Sequence, residues 1–425
     1  MKMKKYFPLF FLVALFLFVR LYNFTENLNF GTDQGMGMLE IYNLYQQKKI
    51  TLISQTGSSM TVHGRYFYFG SALYYIFMPF LILFHWDPVY VSAVMVFFQL
   101  AIFILLYQTI KKKFKNSLPA IIFAVIFAVT PVAVNYGRFF WSPNFMVVLS
   151  SVVLYLLLLI KRKKSNTILF LLTGFFLGLG FQIHYSFLLT MVVVGMWLVF
   201  ARQITFKKIL LLLAGFLLGI SPLIIFELRH NFYNLQTLWF YFTIKEASRT
   251  APLFQPHLHY FLNLLPFIFF VICYLLSVIF RKLKYPVYLL LIGYTVWSMQ
   301  FFLPKPSHGF MMVDGWNFAG EKKAAEIILS EKPPKNYNVV DILTGDTRSM
   351  AIRYLLTIGG SAPMGVTEYP SGNVLFITSK LPIEQILKGS LWEIDCIKPV
   401  KLVKTWEIQN GIYLYQVEKI NVGVK

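Results

Sequence analysis

Apolar residues arrive along this chain in long blocks with short polar punctuation, and only beyond residue 303 does the pattern change to short alternating runs. A bilayer core of about 30 Å asks for about 20 mostly apolar residues per helix. On that ruler ten segments stand out, at 7–22, 67–84, 89–110, 118–134, 145–160, 167–181, 185–200, 209–226, 260–280 and 285–303. The spacing predicts an α-helical polytopic membrane protein. The tail reads differently: helices over 318–329, 348–356 and 383–387, strands over 337–343, 374–378 and 392–397, and a hairpin through the Asn410-Gly411 turn. That alternation predicts one small α/β domain.

The basic clusters decide how many segments cross. With the N-terminus cytoplasmic, ten spans put KKKFK (111–115) and KRKK (161–164) in opposite compartments. Excluding 67–84 leaves nine spans and gathers KMKK, KKKFK, KRKK, RQITFKK and RKLK on the cytoplasmic face, with no acid in any of those loops. The segment 67–84, with Pro79 inside it and HWDP after it, is therefore predicted to be a juxtamembrane helix lying in or dipping into the outer leaflet. The alternative is that it spans, which turns half the basic loops to the wrong side. Residues 1–303, with a first external loop at 23–88, form the membrane domain on this reading, and 304–425 an extramembrane domain in the periplasm or outside the cell.

Composition agrees, with 57% hydrophobic and 18% aromatic residues against roughly 45–50% apolar in a soluble domain. The net charge of +21 does not point to nucleic acid, because Lys and Arg cluster between apolar runs instead of lining one polar face. The basic N-terminus lacks a small-residue cleavage site after its apolar run and reads as a retained first span. Cys273 and Cys396 alone make no disulfide framework.

The external side then collects the residues with chemical potential. Asp33 heads GTDQGMGMLEIYNLYQQKK just past the first span. A transferase acting on a sugar already activated by a polyprenyl phosphate needs one base for the acceptor hydroxyl and cations or N–H donors for the departing phosphate. Asp33 is the candidate base; as the alternative, it N-caps the helix that follows. Arg65, Arg138 and Arg229, with His63, His184 and His230, fall on the same face, and Arg suits phosphate because its planar fork holds two oxygens. Each has a plainer reading: Arg65 snorkels to headgroups, Arg138 anchors an interface, His184 bonds a helix end, and Glu227, Arg229 and His230 form a helix-end charge cluster. The tail shows no Gly-rich phosphate loop, trustworthy Ser-His-Asp order or metal-ligand spacing.

An acid just after the first helix, HGRYFYFGSALYYIFMP leading into an apolar stretch, RFFWSPN, and LLGISPLIIFELRHNF together resemble the GT-C superfamily of membrane glycosyltransferases. The likeness is to family 39 in particular, which includes protein O-mannosyltransferases and the lipid A aminoarabinose transferase. It covers roughly residues 5–260 and implies a fold with juxtamembrane helices in the first external loop. The implied reaction is inverting transfer from a polyprenyl-phosphate-linked donor to a glycan, lipid or protein acceptor at the outer membrane face. GDTRSMAIRYLL and TWEIQNGIYLYQVEK resemble external accessory domains of bacterial family 39-like proteins. Two departures matter: the family's Asp-Glu pair is Asp33-Gln34 here, and the acid of its second external loop is missing, Asn144 being the nearest polar residue. Fewer carboxylates favour metal-independent chemistry, with a divalent cation left open and no other cofactor expected. The rival readings are a transporter or flippase for lipid-linked sugars, a polymerase or ligase using lipid-linked oligosaccharide, and a non-catalytic scaffold.

Overall fold

The computed structural model describes residues 7–420 apart from 63, 161–166, 204, 244–256, 281–283 and 344–345. In chain order the first elements are α1 (Phe7–Leu21), α2 (Thr32–Gln46), β1 (Ile53–Val62), β2 (Arg65–Gly70), α3 (Ala72–Leu83) and α4 (Pro88–Phe114). Then come α5 (Ser117–Val129), α6 (Pro131–Asn135), α7 (Ser142–Leu159), α8 (Ile168–Ile183), α9 (Leu188–Phe200), α10 (Phe206–Gly219) and α11 (Ser221–Arg229). They are followed by α12 (Tyr233–Thr243), α13 (Leu265–Ile279), α14 (Lys284–Met299), α15 (Phe318–Ser330), β3 (Tyr337–Asp341) and α16 (Met350–Ile358). The chain closes with β4 (Val374–Ser379), α17 (Ile383–Lys388), α18 (Trp392–Asp395), β5 (Val400–Gln409) and β6 (Ile412–Lys419). Two compact units result: Met1–Tyr22 with Lys48–Pro304, and Asn23–Gln47 with Lys305–Lys425. Sequence reading joined 23–47 to the membrane domain; here that stretch belongs to the same unit as the tail.

The first unit is a helical bundle. Helices α8 and α10 approach backbone to backbone through two pairs of glycines four residues apart. A Cβ on Gly174 or Gly178 would meet the carbonyl oxygens of Leu212 or Phe216 at 1.9 and 2.2 Å, and one on Gly215 or Gly219 would meet those of Leu171 or Phe175 at 2.0 and 2.2 Å. Small residues at this spacing let membrane helices pack closely, and α9 between them lets both run in one direction. The expected helix over 209–226 is bent by 66° between α10 and α11, where Pro222 begins a new helix because a proline ring cannot continue the preceding turn. Thr130 and Pro131 divide 118–134 in the same way.

Among the described residues three helices are long and apolar enough to cross a membrane, or four if the bent pair is one span, and five apolar helices are shorter. Helix length alone therefore does not reach nine spans. Strand β2 occupies the first residues of the expected helix over 67–84 and pairs antiparallel with β1. The helix that remains, α3, has 12 residues; at 1.5 Å per residue it is about 18 Å long, short of the roughly 30 Å a bilayer core requires.

In the second unit the strands run in the order β3-β4-β6-β5, with β3 and β4 parallel and the other pairs antiparallel. Val340, Leu375, Ile377 and Val417 meet Ile383, Ile386 and Ile394 in its core. The β5–β6 hairpin turns at Asn410 and Gly411, both at positive φ (48° and 73°), as an Asn-Gly turn of this kind requires. The strand expected over 392–397 is instead helix α18 followed by a turn. Its short run Trp-Glu-Ile-Asp fits either period, and Asp395 paired with Lys398 three residues on at 2.7 Å favours the helical spacing. Helix α2 lies on α16: a Cβ on Gly35 would meet the carbonyl carbon and oxygen of Met350, both at 2.6 Å.

Candidate active site

Asp33 sits in the first turn of α2. The N-cap is Gly31, whose N–H donates to Asn29 Oδ1 and to Gln34 Oε1, each at 3.1 Å. The capping role read for Asp33 is thus filled by its neighbours, and Gln34, buried, is the side chain that reaches back to the cap. The positive end of the helix favours a carboxylate at Asp33.

Sequence reasoning passed over Asp33's cationic neighbour. Arg348, just before α16, donates Nε to both oxygens of Asp346 at 2.8 and 3.1 Å, and Nη2 to Oδ2. Those bonds push the guanidinium above its ordinary value against the opposing effect of burial, and the charges of Asp346 and Asp33 add to the rise. Burial raises Asp346, but the bonds from Arg348 outweigh it and hold the carboxyl below its usual value. Acid, arginine, acid is a charged group able to orient a hydroxyl and balance a negative charge. The signal was present in GDTR, an acid and a base two residues apart before a helix.

The other residues singled out in the sequence lie in the first unit. Arg65, on β2, stacks on the Tyr233 ring at 4.2 Å and donates Nη1 to Gln236 Oε1 at 3.2 Å and Nη2 to the Tyr233 carbonyl at 3.3 Å, leaving Nε without an acceptor. The same strand is clamped to α12 through Asn234, which donates to the Tyr68 carbonyl at 3.1 Å and accepts from the Tyr68 N–H at 2.9 Å. Glu227 caps α12 by accepting from the N–H groups of Asn234 and Leu235 at 3.1 and 3.4 Å. Arg229 is exposed in the last turn of α11, and His230 stacks on Phe226 at 4.4 Å with Nδ1 at 2.9 Å from its carbonyl oxygen.

Arg138 is 1% exposed. Its Nη2 donates to the carbonyls of Val19 and Tyr22 (3.2 Å to the latter), which closes the end of α1. Burial lowers the guanidinium to about 10, so it stays charged at neutral pH. Asn144, also buried, donates to the Phe139 carbonyl at 3.0 Å and keeps Oδ1 unpartnered. His184 stacks on Phe69 at 5.1 Å, and its Nδ1 accepts from the Ser186 N–H at 3.3 Å. Burial, with His259 beside it, holds the imidazole down at about 3, so His184 offers neutral hydrogen-bonding capacity and no charge. With Trp141 packed on His259 at 4.7 Å, and Tyr260 on both histidines, these rings make an aromatic wall. His63 lies outside the described residues. Among the described residues no group of three or more His, Cys, Asp or Glu is placed to hold a metal ion.

The family described as dolichyl-phosphate-mannose-protein mannosyltransferase matches residues 71–226. No curated protein sequence matches the chain. In three dimensions the chain is similar to the crystal structure of ArnT from Cupriavidus metallidurans bound to undecaprenyl phosphate, with a TM-score of 0.57 at 11% identity, covering 97% of this chain and 98% of that one. This is a multi-pass membrane protein, similar in sequence over 71–226 to the dolichyl-phosphate-mannose-protein mannosyltransferases and sharing, over nearly its whole length, the fold of ArnT.

Proposed function

We propose that this protein is a membrane glycosyltransferase that moves a sugar from a polyprenyl-phosphate-linked donor, with inversion, to an acceptor hydroxyl on a glycan, lipid or protein. The observation that carries the reading is the fold shared end to end with a protein crystallised on undecaprenyl phosphate. The nine-span arrangement, with the N-terminus cytoplasmic and residues 304–425 outside, is part of the proposal and is supported by the one-sided basic loops.

In this mechanism Asp33 takes the proton of the acceptor hydroxyl as its oxygen attacks the anomeric carbon. The bond from that carbon to the phosphate oxygen breaks, and polyprenyl phosphate leaves with the electron pair. Because the phosphate is a competent leaving group, no second carboxyl is needed as an acid, unlike hydrolysis of an unactivated glycoside. Arg348 supplies a positive charge that acts on Asp33. Arg65, with His63, serves the phosphate; Arg138 serves it by holding the end of α1, and His184 and Asn144 by neutral hydrogen bonds. Gln34 fixes the turn that carries the base, while Glu227, Arg229 and His230 shape the substrate side of the first unit.

Wild-type protein and Asp33→Asn are reconstituted into vesicles with a polyprenyl-phosphate sugar and an acceptor extract, and donor consumption is followed by mass spectrometry. Losing a general base lowers turnover by about 10²–10⁴-fold. A folded Asp33→Asn protein with wild-type turnover removes Asp33 from the mechanism. Donor that is relocated across the bilayer and never consumed makes the protein a flippase.

A further inference from the structure

The second unit holds a small, partly open cavity of about 50 Å³, lined among others by Asn29, Thr32, Trp316, Glu321, Asp341 and Ser349. Two carboxyls share it. Glu321, in the first turn of α15, is 3% exposed, and its Oε2 has no hydrogen-bond partner. Asp341 ends β3 and uses Oδ1 to accept from the Leu343 N–H at 2.7 Å. Independently of the acids, Ser349 is 4% exposed and its hydroxyl is also unpartnered. Ser349 holds a left-handed backbone, φ 55° and ψ 43°, a conformation that costs a non-glycine residue about 1–2 kcal/mol.

A polar group buried without a partner costs about 1–3 kcal/mol, so a ligand that bonds Glu321 and Ser349 here is favoured. Burial and mutual repulsion raise Glu321 well above the usual carboxyl range, and burial lifts Asp341 to about 7. The starts of α2 and α16 also border the cavity. They contribute roughly +0.5 charge each, about one charge short of what two carboxylates need to ionise together. A hard divalent cation answers all of this at once: it prefers oxygen ligands, carboxylate, hydroxyl and amide carbonyl together, completed by water. A water takes about 30 Å³ of liquid volume, so the space suits one ion with about one water.

We propose that this cavity is a divalent-cation site of the calcium type, formed by Glu321, Asp341 and Ser349 with Asn29 at its edge, that ties the start of α2 to α15, β3 and α16. Its occupancy fixes the segment that carries Asp33, two residues from Gly31 at the cavity wall. The site stands independently of any catalytic role for Asp33.

The test uses the full-length protein in detergent, stripped with chelator and titrated with Ca²⁺ by thermal unfolding, and with Tb³⁺ by luminescence sensitised through Trp316. Expected are one saturable Tb³⁺ site displaced by Ca²⁺, and a melting temperature that rises with Ca²⁺. Glu321→Gln keeps the shape of the side chain and weakens binding by at least about tenfold, while Glu331→Gln, at the end of α15, leaves it unchanged. If Glu321→Gln does not fold, Ser349→Ala carries the test, because it removes a hydroxyl with no partner; weaker Tb³⁺ binding in that variant supports the site. No saturable binding, or equal binding in wild type and both cavity variants, overturns the proposal.

Discussion

Replacing Gly35 with alanine probes the joint that positions the proposed base. The added methyl would stand 2.6 Å from two backbone atoms of Met350 and 2.7 Å from the backbone nitrogen of Ala351. Neither neighbour is the end of a flexible side chain. Ordinary contact begins at 3.4 Å, so α2 and α16 must separate by roughly 0.8 Å. Overpacking of this kind costs about 1–3 kcal/mol, against which the better helix propensity of alanine returns about 1 kcal/mol. The net loss of stability is therefore modest. The functional loss is larger, because Asp33 lies two residues before Gly35 and Arg348 two residues before Met350. A displacement near 1 Å in a reacting group costs about 10²-fold in rate. Thermal unfolding and donor turnover are measured together on the same vesicle preparation. Gly195→Ala serves as the control, since a Cβ there meets nothing within 4 Å. Gly35→Ala with unchanged turnover would falsify the claim that the α2–α16 contact holds the base in place.

Arg348→Gln removes both the partner of Asp346 and the cation near Asp33; turnover falls by about 10²-fold, with little change in melting temperature because this ion pair is partly exposed. Arg138→Lys leaves the Val19 or Tyr22 carbonyl unsatisfied and lowers stability by about 1–3 kcal/mol; an unchanged melting temperature with weakened donor binding assigns Arg138 to the phosphate instead. His184, held at about 3 when folded against about 6.5 in an open chain, contributes stability that is full above pH 6.5 and drains away as pH falls toward 3. The loss is roughly 5 kcal/mol at most, so thermal unfolding from pH 7 to pH 4 falls less steeply in His184→Gln than in wild type.

Local chemistry made the helical blocks, the tail's alternation and the Asn410-Gly411 hairpin legible in the sequence, because each depends on period or on one backbone preference. The same logic marked Asp33 as an acid just beyond a span. It failed where two periods fit one run, as at 392–397, and where a strand of aromatic residues, Arg65–Gly70, ran directly into an apolar helix.

The long apolar blocks by themselves establish a membrane chain with a distinct tail, since insertion energies act residue by residue. Only the tertiary structure puts Asn23–Gln47 with that tail and brings Arg348 near Asp33. It alone buries Arg138 on carbonyls of α1 and gathers Glu321, Asp341 and Ser349 around one cavity. Those pairings join residues tens to hundreds of positions apart. They are decided by which backbones can approach closely, as Gly35 allows against Met350, and a linear pattern carries no record of that.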